Sequence, residues 1–152
     1  MLIALSSVHG EAQDSSLQGV WQIVEVSYTG PAAHTNRAPQ PYLYIFTEKY
    51  YSITRVSSDT PRATFKDSSR VTPEEALAIW GPFQSSAGTY TVKGDELRRS
   101  PIVAKNPQNQ PGRNIGAERF VLAGNRLTIT EKTGSDDVPI ANPTTWVFRR
   151  VE

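Results

Sequence analysis

The sequence predicts an all-β protein, an eight-stranded antiparallel up-and-down β-barrel with one helix between strands 3 and 4. Short runs rich in Val, Ile, Thr and aromatic residues recur along the 152-residue chain, each joined to the next by a turn or loop, as in a barrel or a sandwich. Gly19-Val20-Trp21 begins the first run, and an aromatic run that carries Arg149 and Arg150 is the last. Two such ends can meet and close the base of a barrel whose interior holds side chains or one small ligand.

Eight runs have the length and composition of strands. In chain order they are residues 17–28, 42–47, 50–56, 89–92, 96–102, 117–122, 126–132 and 144–151. The second and third runs flank Glu48-Lys49, and the sixth and seventh flank a turn with Gly124-Asn125, so each pair predicts a hairpin. Pro101 has no N–H to donate to a ladder, so the fifth strand is interrupted there or lies at an edge.

The one predicted helix begins after Thr72. Thr72 is a suitable N-cap, Pro73 takes the first helical position, and Glu75 completes a capping box. One apolar face follows at helical spacing. It consists of Ala76, Ile79, Trp80, Phe83 and Ala87. Pro82 kinks this helix or ends it early. The helix face packs on the barrel or covers one of its ends.

Composition limits the classes of function. Hydrophobic residues make up 38% of the chain, enough for the core of one domain. Lys and Arg number 16 against 15 Asp and Glu, a net charge of +1, so no strong field attracts nucleic acid. The chain has no Cys and only 2 His. We therefore expect no disulfide, no metal site and no cofactor.

Residues 1–16 are either the remnant of a secretory signal peptide or a disordered N-terminus, and residues 17–152 form the barrel domain. The chain begins with small and apolar residues, and Gly10-Glu11-Ala12 has a small-x-small cleavage pattern, but no Lys or Arg precedes it. With a signal peptide the protein is secreted or periplasmic, and without one it is cytoplasmic. No segment approaches the ~20 apolar residues that a membrane span needs.

The order of these features resembles the lipocalin-like domain proteins of bacteria and fungi. The residues that carry the resemblance, within residues 17–151, are Leu17, Gly19, Trp21, residues 88–92, Pro111, Gly112, Arg119, Phe120, Leu122, Gly124, Asn125, Leu127 and Trp146. The resemblance implies a calycin-type barrel, open at one end, that binds a small hydrophobic molecule. A few barrel relatives are cyclases or isomerases. Some relatives carry a His where this chain has Arg98 and Arg99, so no role of that His transfers.

Trp21 has a structural role by this resemblance. In lipocalin-like barrels the Trp of the first strand plugs the closed end, and an Arg of a late strand lies across its face. A cation–π contact of this kind contributes about 0.5–2 kcal/mol. Arg149 or Arg150 is the expected partner, and the register of the last strand decides between them.

Glu25 is the leading functional candidate. If Trp21 faces inward, the period-two alternation of a strand also turns Glu25 inward. Glu25 is then a carboxylate partway up the lumen, where it needs a partner or a raised pKa. Valines such as Val24 make the other face apolar too, so a β-bulge would reverse this orientation.

Other candidates lie on the neighbouring elements. An aromatic set is either ordinary core or the wall of a pocket with phenolic tips. It consists of Tyr44, Phe46, Tyr51, Ile53 and Tyr90. Arg119, if inward, pairs with Glu25 or with a ligand carboxylate, and if outward is solvated. Together with Trp80, these are the candidate ligand-binding residues.

The sequence thus predicts that the barrel binds a small hydrophobic or amphipathic molecule. One alternative is a cofactor-independent cyclase or isomerase that uses the same cavity, and another is a structural or interaction module with a filled barrel. No nucleophile elbow, phosphate loop or dinucleotide fingerprint is present, so an enzyme would depend on Tyr, Glu or Arg. The sequence leaves open the ligand, the oligomeric state and whether the barrel is catalytic.

Overall fold

The computed structural model describes residues 17–152, which form a closed antiparallel barrel with one short helix. Residues 1–16, to which the predicted signal remnant or disordered terminus belongs, lie outside the described residues. The elements are β1 (Gly19–Tyr28), β2 (His34–Asn36), β3 (Tyr42–Phe46), β4 (Tyr50–Val56), α1 (Pro73–Trp80), β5 (Phe83–Lys93), β6 (Glu96–Ala104), β7 (Ala117–Ala123), β8 (Arg126–Thr133) and β9 (Thr145–Arg150).

The barrel has eight strands, as the sequence predicts. β1 pairs with β3, each later strand pairs with the next up to β9, and β9 pairs back with β1 to close the sheet. Every pairing is antiparallel. We call the end at which β1 begins and β9 ends the base, and the opposite end the mouth.

The predicted position of the helix in the strand order is wrong because the structure has one additional strand, β2. The sequence placed the helix between strands 3 and 4, but α1 falls between β4 and β5 because β2 adds a strand in a segment predicted as loop. β2 pairs only with the mouth end of β1. Side-chain contacts hold it there: Tyr28 stacks on His34 at 4.7 Å, and the hydroxyls of Ser27 and Thr35 are 3.0 Å apart. A polar three-residue strand of this kind has no hydrophobic pattern to reveal it.

The helix begins as predicted and ends earlier than its apolar spacing suggests. The Thr72 hydroxyl accepts a hydrogen bond from the backbone N–H of Glu75, which confirms the N-cap. The last helical residue is Trp80, and the Gly-Pro pair that follows stops the helix. Phe83 and Ala87, expected on the helix face, lie in β5 instead.

The base of the barrel is closed by a fully buried tryptophan. Trp21 is 0% exposed, and its indole Nε1 donates a hydrogen bond to the carbonyl of Leu17 at 2.8 Å. The guanidinium of Arg150 lies 4.1 Å from the centroid of the Trp21 ring and donates to the carbonyl of Gln18. Trp21 and Arg150 are direct partners in the β1–β9 ladder. The predicted cation–π contact is confirmed, with Arg150 rather than Arg149 as the partner.

Two β-bulges shape the sheet above the base. In β1 the pairing with β9 shifts between Ile23 and Glu25, so Val24 is an extra residue without a partner in that ladder. In β6 the pairing with β5 shifts after Pro101, which is the interruption that a proline predicts. Gly88 is the direct partner of Pro101 at this second bulge.

We expect Gly88→Ala to destabilise the fold by about 1–3 kcal/mol, as overpacking of a close contact does. A Cβ at Gly88 would lie 2.1 Å from the carbonyl oxygen of Ser100 and 2.8 Å from the N of Ile102, both backbone atoms. Chemical denaturation followed by circular dichroism measures the change. Ser85→Ala on the same strand is the control and should stay within about 0.5 kcal/mol. Equal stability of the two variants would contradict this account of the bulge.

Candidate ligand site at the barrel mouth

The aromatic set expected to form a pocket wall is packed core. Tyr44 stacks on Phe46 with ring centroids 4.2 Å apart, and Phe46 meets the edge of Tyr90 at 5.1 Å. The Tyr90 hydroxyl donates to the carbonyl of Thr47 at 2.7 Å. All five residues of the set are buried: Tyr44, Phe46, Tyr51, Ile53 and Tyr90. Of these, only Ile53 lines one of the two mouth cavities. The part of the lumen nearest the base is therefore filled.

Two small cavities remain at the mouth. One of 190 Å³ lies beside β1 and the segments around Pro39 and Ser58. The other, of 120 Å³, lies beside β5, β6 and β7. The two cavities have four lining residues in common: Tyr42, Arg55, Glu131 and Trp146. The mouth is therefore one mixed polar and apolar region divided by a few side chains.

Arg55 lies at the boundary between the two cavities. It follows the inward residues Tyr51 and Ile53 at the same period of two on β4. Its guanidinium is 5.4 Å from the ring centroid of Tyr42 and 5.4 Å from that of Trp146. These rings belong to β3 and β9, which flank β1 on its two sides. Arg55 therefore reaches across β1 at the mouth and is fixed by two aromatic faces.

A buried ion pair forms the floor of the smaller cavity. Arg99 Nε lies 3.0 Å from Glu118 Oε2, and Arg99 Nη2 lies 2.7 Å from Glu118 Oε1, so the pair is bidentate. The side chains are 18% and 11% exposed. The guanidinium also lies 5.7 Å from the centroid of the Tyr51 ring. The geometry fixes the orientation of both side chains.

Burial controls the ionisation of the groups around this pair. Burial opposes the charge of Arg99, but the Glu118 carboxylate and the phenols of Tyr44, Tyr42 and Tyr51 together outweigh it and hold the pKa of Arg99 above its usual value. Burial also raises the pKa of Tyr42 to about 12, although the positive charges of Arg55 and Arg99 act in the opposite direction. At neutral pH Arg99 is therefore charged and the Tyr42 phenol is protonated.

Two further tyrosine hydroxyls lie below the cavities. The Tyr51 hydroxyl is 2.8 Å from the hydroxyl of Ser86, which lines the smaller cavity. The Tyr44 hydroxyl is buried and has no hydrogen-bond partner within residues 17–152. Burial raises the pKa of Tyr44 well above its usual value, so this phenol remains a neutral donor.

Glu25 does not face the lumen. The extra residue Val24 reverses the alternation of β1, so Val26 rather than Glu25 pairs with the inward Trp146. Glu25 is 28% exposed and lies 3.5 Å from Arg37 in an ion pair. The inward orientation predicted from Trp21 is therefore wrong, and the β-bulge alternative is the one that the structure has.

Arg119 and Trp80 also lie away from the cavities. Arg119 is 60% exposed and forms a 2.9 Å ion pair with Asp95, so the outward alternative applies. Trp80 is 49% exposed at the end of α1 and meets the edge of Phe83 at 6.0 Å. No residue of α1 lines either mouth cavity.

The alternation of strand residues in the sequence also identifies the charged residues of the mouth. Arg55 continues the alternation of Tyr51 and Ile53, so its inward orientation follows from period two alone. Arg99 and Glu118 likewise follow and precede inward apolar residues by two positions, namely Leu97 and Phe120. A charged residue at an inward position on each of two paired strands is the pattern of a buried ion pair.

The described residues offer no metal site and no helical membrane span. Within residues 17–152, no three His, Asp or Glu side chains converge on a point that could hold an ion. In the same part of the chain, α1 is the only helix, and no helix is long and apolar enough to cross a bilayer.

Comparison with known proteins finds no family model and no curated protein that matches this chain. Among solved structures, the chain is similar to an uncharacterized protein from Bacteroides eggerthii DSM 20697, whose crystal structure was determined at 2.60 Å resolution. The two are 14% identical, with 88% of this chain and 98% of that chain covered and a TM-score of 0.46. We draw no conclusion about function from this similarity.

Proposed function

We propose that the protein is a lipocalin-like barrel that binds a small amphipathic molecule at its mouth. The observation that carries this proposal is the uneven filling of the lumen. Aromatic side chains occupy the part near the base, whereas two cavities of 190 and 120 Å³ remain at the mouth and meet at Arg55. A filled structural barrel would not need polar groups that converge on empty space at one end.

The size of the cavities limits the ligand. Each is smaller than the ~300–1,000 Å³ of sites for drug-sized molecules, so the ligand is small or extends partly into solvent. Ile23, Val26 and Trp146 supply apolar contact in the larger cavity. Arg55 and Glu131 supply the charged contacts that orient a polar end.

A larger concavity on the outside of the barrel is the competing location. It has a volume of 500 Å³ and is lined by outward residues of β1, β3 and β4 such as Leu43 and Thr54. Arg62 and Phe83 also line it, and it shares Tyr42 and Arg55 with the two mouth cavities. It is open to solvent along the sheet face. The mouth is the better candidate because strands from opposite sides of the barrel direct side chains into it.

Catalysis in the smaller cavity is less well supported than binding. Glu118 and Arg99 both line that cavity and contact each other, which is the arrangement an acid–base enzyme would need. Both carboxylate oxygens of Glu118, however, accept hydrogen bonds from Arg99. A general base needs a free lone pair directed at the substrate, so Glu118 is better suited to hold Arg99 in place.

Filling the larger cavity tests the proposal. Native mass spectrometry of freshly purified protein, and ligand-observed NMR with a panel of small aromatic acids, amides and amines, should detect at least one bound molecule. We expect Val26→Phe to weaken that binding by about tenfold or more, a cost of roughly 1.4 kcal/mol, because the added ring occupies the cavity lined by Val26.

Val121→Phe is the matched control because Val121 is 58% exposed on the outside of the barrel. It should leave the affinity unchanged. The proposal is overturned if no panel member binds the unmodified protein, or if Val26→Phe binds as tightly as Val121→Phe.

A further inference from the structure

We propose that the ligand is a small monoanionic carboxylate with a flat apolar body, and that Arg55 binds its carboxylate. This inference rests on the proposed function and specifies the chemistry of the same site. The juxtaposition that carries it is the Arg55 guanidinium, which lies over two aromatic rings and lines both mouth cavities, with no described carboxylate within ion-pair distance.

The aromatic contacts of Arg55 leave its hydrogen-bond donors available. The guanidinium carbon lies over the rings of Tyr42 and Trp146, 5.4 Å from each centroid, and a cation–π contact does not use the N–H donors. The N–H groups of a guanidinium point outward in its plane and match the two oxygens of a carboxylate. Apart from the Tyr42 hydroxyl, the Arg55 side chain has no hydrogen-bond partner within the described chain.

Arg55 also lacks a carboxylate partner. Arg99, the other guanidinium that lines the cavities, is neutralised by Glu118. Among residues 17–152, no Asp or Glu lies within ion-pair distance of Arg55. An inward cation without an opposite charge is costly to desolvate, and a bound carboxylate would offset that cost.

The acidic residues of the mouth are engaged elsewhere. Glu131 Oε2 accepts a hydrogen bond from the backbone N–H of Thr144 at 2.8 Å. Asp59 accepts one from the Asn36 amide at 3.1 Å and lies 3.6 Å from His34. These two carboxylates still repel a second negative charge at the mouth. A monoanion is therefore favoured over a dianion such as a phosphate monoester.

The walls of the site favour a flat body behind the carboxylate. The rings of Tyr42 and Trp146 and the side chains of Ile23 and Val26 line the larger cavity. Aromatic ligands stack well on such rings. The volume of 190 Å³ fits a single ring better than a long chain.

Isothermal titration calorimetry with benzoate, its neutral isostere benzamide and the dianion phenyl phosphate tests the inference. We expect the unmodified protein to bind benzoate at least about tenfold more tightly than benzamide or phenyl phosphate, as charge-assisted hydrogen bonds to a single carboxylate predict. Arg55→Gln should remove the preference for benzoate over benzamide. Arg55→Lys keeps the charge but loses the planar N–H donors that contact both carboxylate oxygens, so it should retain only part of the preference.

Arg62→Gln is the matched control, because the Arg62 guanidinium also lies over two rings, those of Trp80 and Phe83, but lines the outer concavity and neither mouth cavity. It should bind benzoate as the unmodified protein does. Circular dichroism and thermal unfolding confirm that each variant is folded.

Each result separates this inference from the proposed function. If benzamide or phenyl phosphate binds at the mouth as tightly as benzoate, or Arg55→Gln leaves the preference intact, the inference of a monoanionic carboxylate fails while binding at the mouth stands. If Arg62→Gln removes benzoate binding, with or without an effect of Arg55→Gln, the ligand lies in the outer concavity and both fail, because Arg55 lines that concavity as well as the mouth. If no molecule of the panel binds, both fail as well.

Discussion

Trp21→Ala is expected to destabilise the protein by about 3–5 kcal/mol, the cost of deleting a large buried aromatic side chain. Trp21 is 0% exposed, so the substitution leaves a cavity at the base of the barrel. It also removes the ring over which the Arg150 guanidinium lies at 4.1 Å. The Leu17 carbonyl loses the hydrogen bond that it accepts from the indole. These losses add to one another because they all fall on the same side chain.

Chemical denaturation followed by far-ultraviolet circular dichroism measures this effect. Trp80→Ala is the matched control because the side chain has the same size but is 49% exposed, and it should cost less than about 2 kcal/mol. Trp21→Phe should fall between the two, since it keeps an aromatic face for Arg150 and loses the indole N–H. A Trp21→Ala variant as stable as Trp80→Ala would mean that the base is not closed by this contact.

The contact at the base of the barrel could be predicted because the resemblance to lipocalin-like barrels implies a Trp of the first strand covered by an Arg of a late strand. Trp21 follows a glycine at the start of a strand, and Arg150 lies in the last strand four residues after Trp146. In period two, residues 146, 148 and 150 share a face, so an inward Trp146 places Arg150 inward as well. The same reasoning would have chosen Arg150 over Arg149 before the structure.

The orientation of Glu25 could not be predicted because it depends on a contact between distant strands. Both faces of β1 are apolar around Val24, so the hydrophobic pattern does not specify which residue is extra. The bulge at Val24 is defined only by pairing with β9, more than a hundred residues later in the chain. A shift of one residue moves every later side chain to the opposite face. This one extra residue is the reason that Glu25, the leading functional candidate, does not face the lumen.

The end of the helix shows a different limit. Phe83 and Ala87 fit the helical spacing of the apolar face, yet they also fit the alternation of a buried strand. Gly81 and Pro82 end α1 in the structure. In β5, residues 83–89 then pair with β4 and residues 86–93 with β6. Pairing on two sides stabilises β5 more than a longer amphipathic helix could.

Glu118→Ala is the second substitution with a large expected effect, a loss of about 3–5 kcal/mol in the free energy of unfolding. It leaves Arg99 charged in a site where the guanidinium is only 18% exposed and had two hydrogen bonds to the lost carboxylate. A guanidinium stays protonated in proteins, so deprotonation does not relieve the unpaired charge. Urea denaturation of the variant and the unmodified protein gives the difference directly.

A double substitution separates the cost of an unpaired charge from the net contribution of the ion pair to the free energy of unfolding. Arg99→Met with Glu118→Leu replaces both ions by apolar side chains of similar size and should restore stability to within about 1–2 kcal/mol of the unmodified protein. Arg119→Ala is the surface control, because its ion pair with Asp95 is 60% exposed on both sides, and it should change stability by less than about 1 kcal/mol. If Glu118→Ala were as mild as Arg119→Ala, solvent would have to reach Arg99 through the mouth. If the double variant were as unstable as Glu118→Ala, the shape of the two side chains, as well as their charges, would be needed for the structure of the mouth.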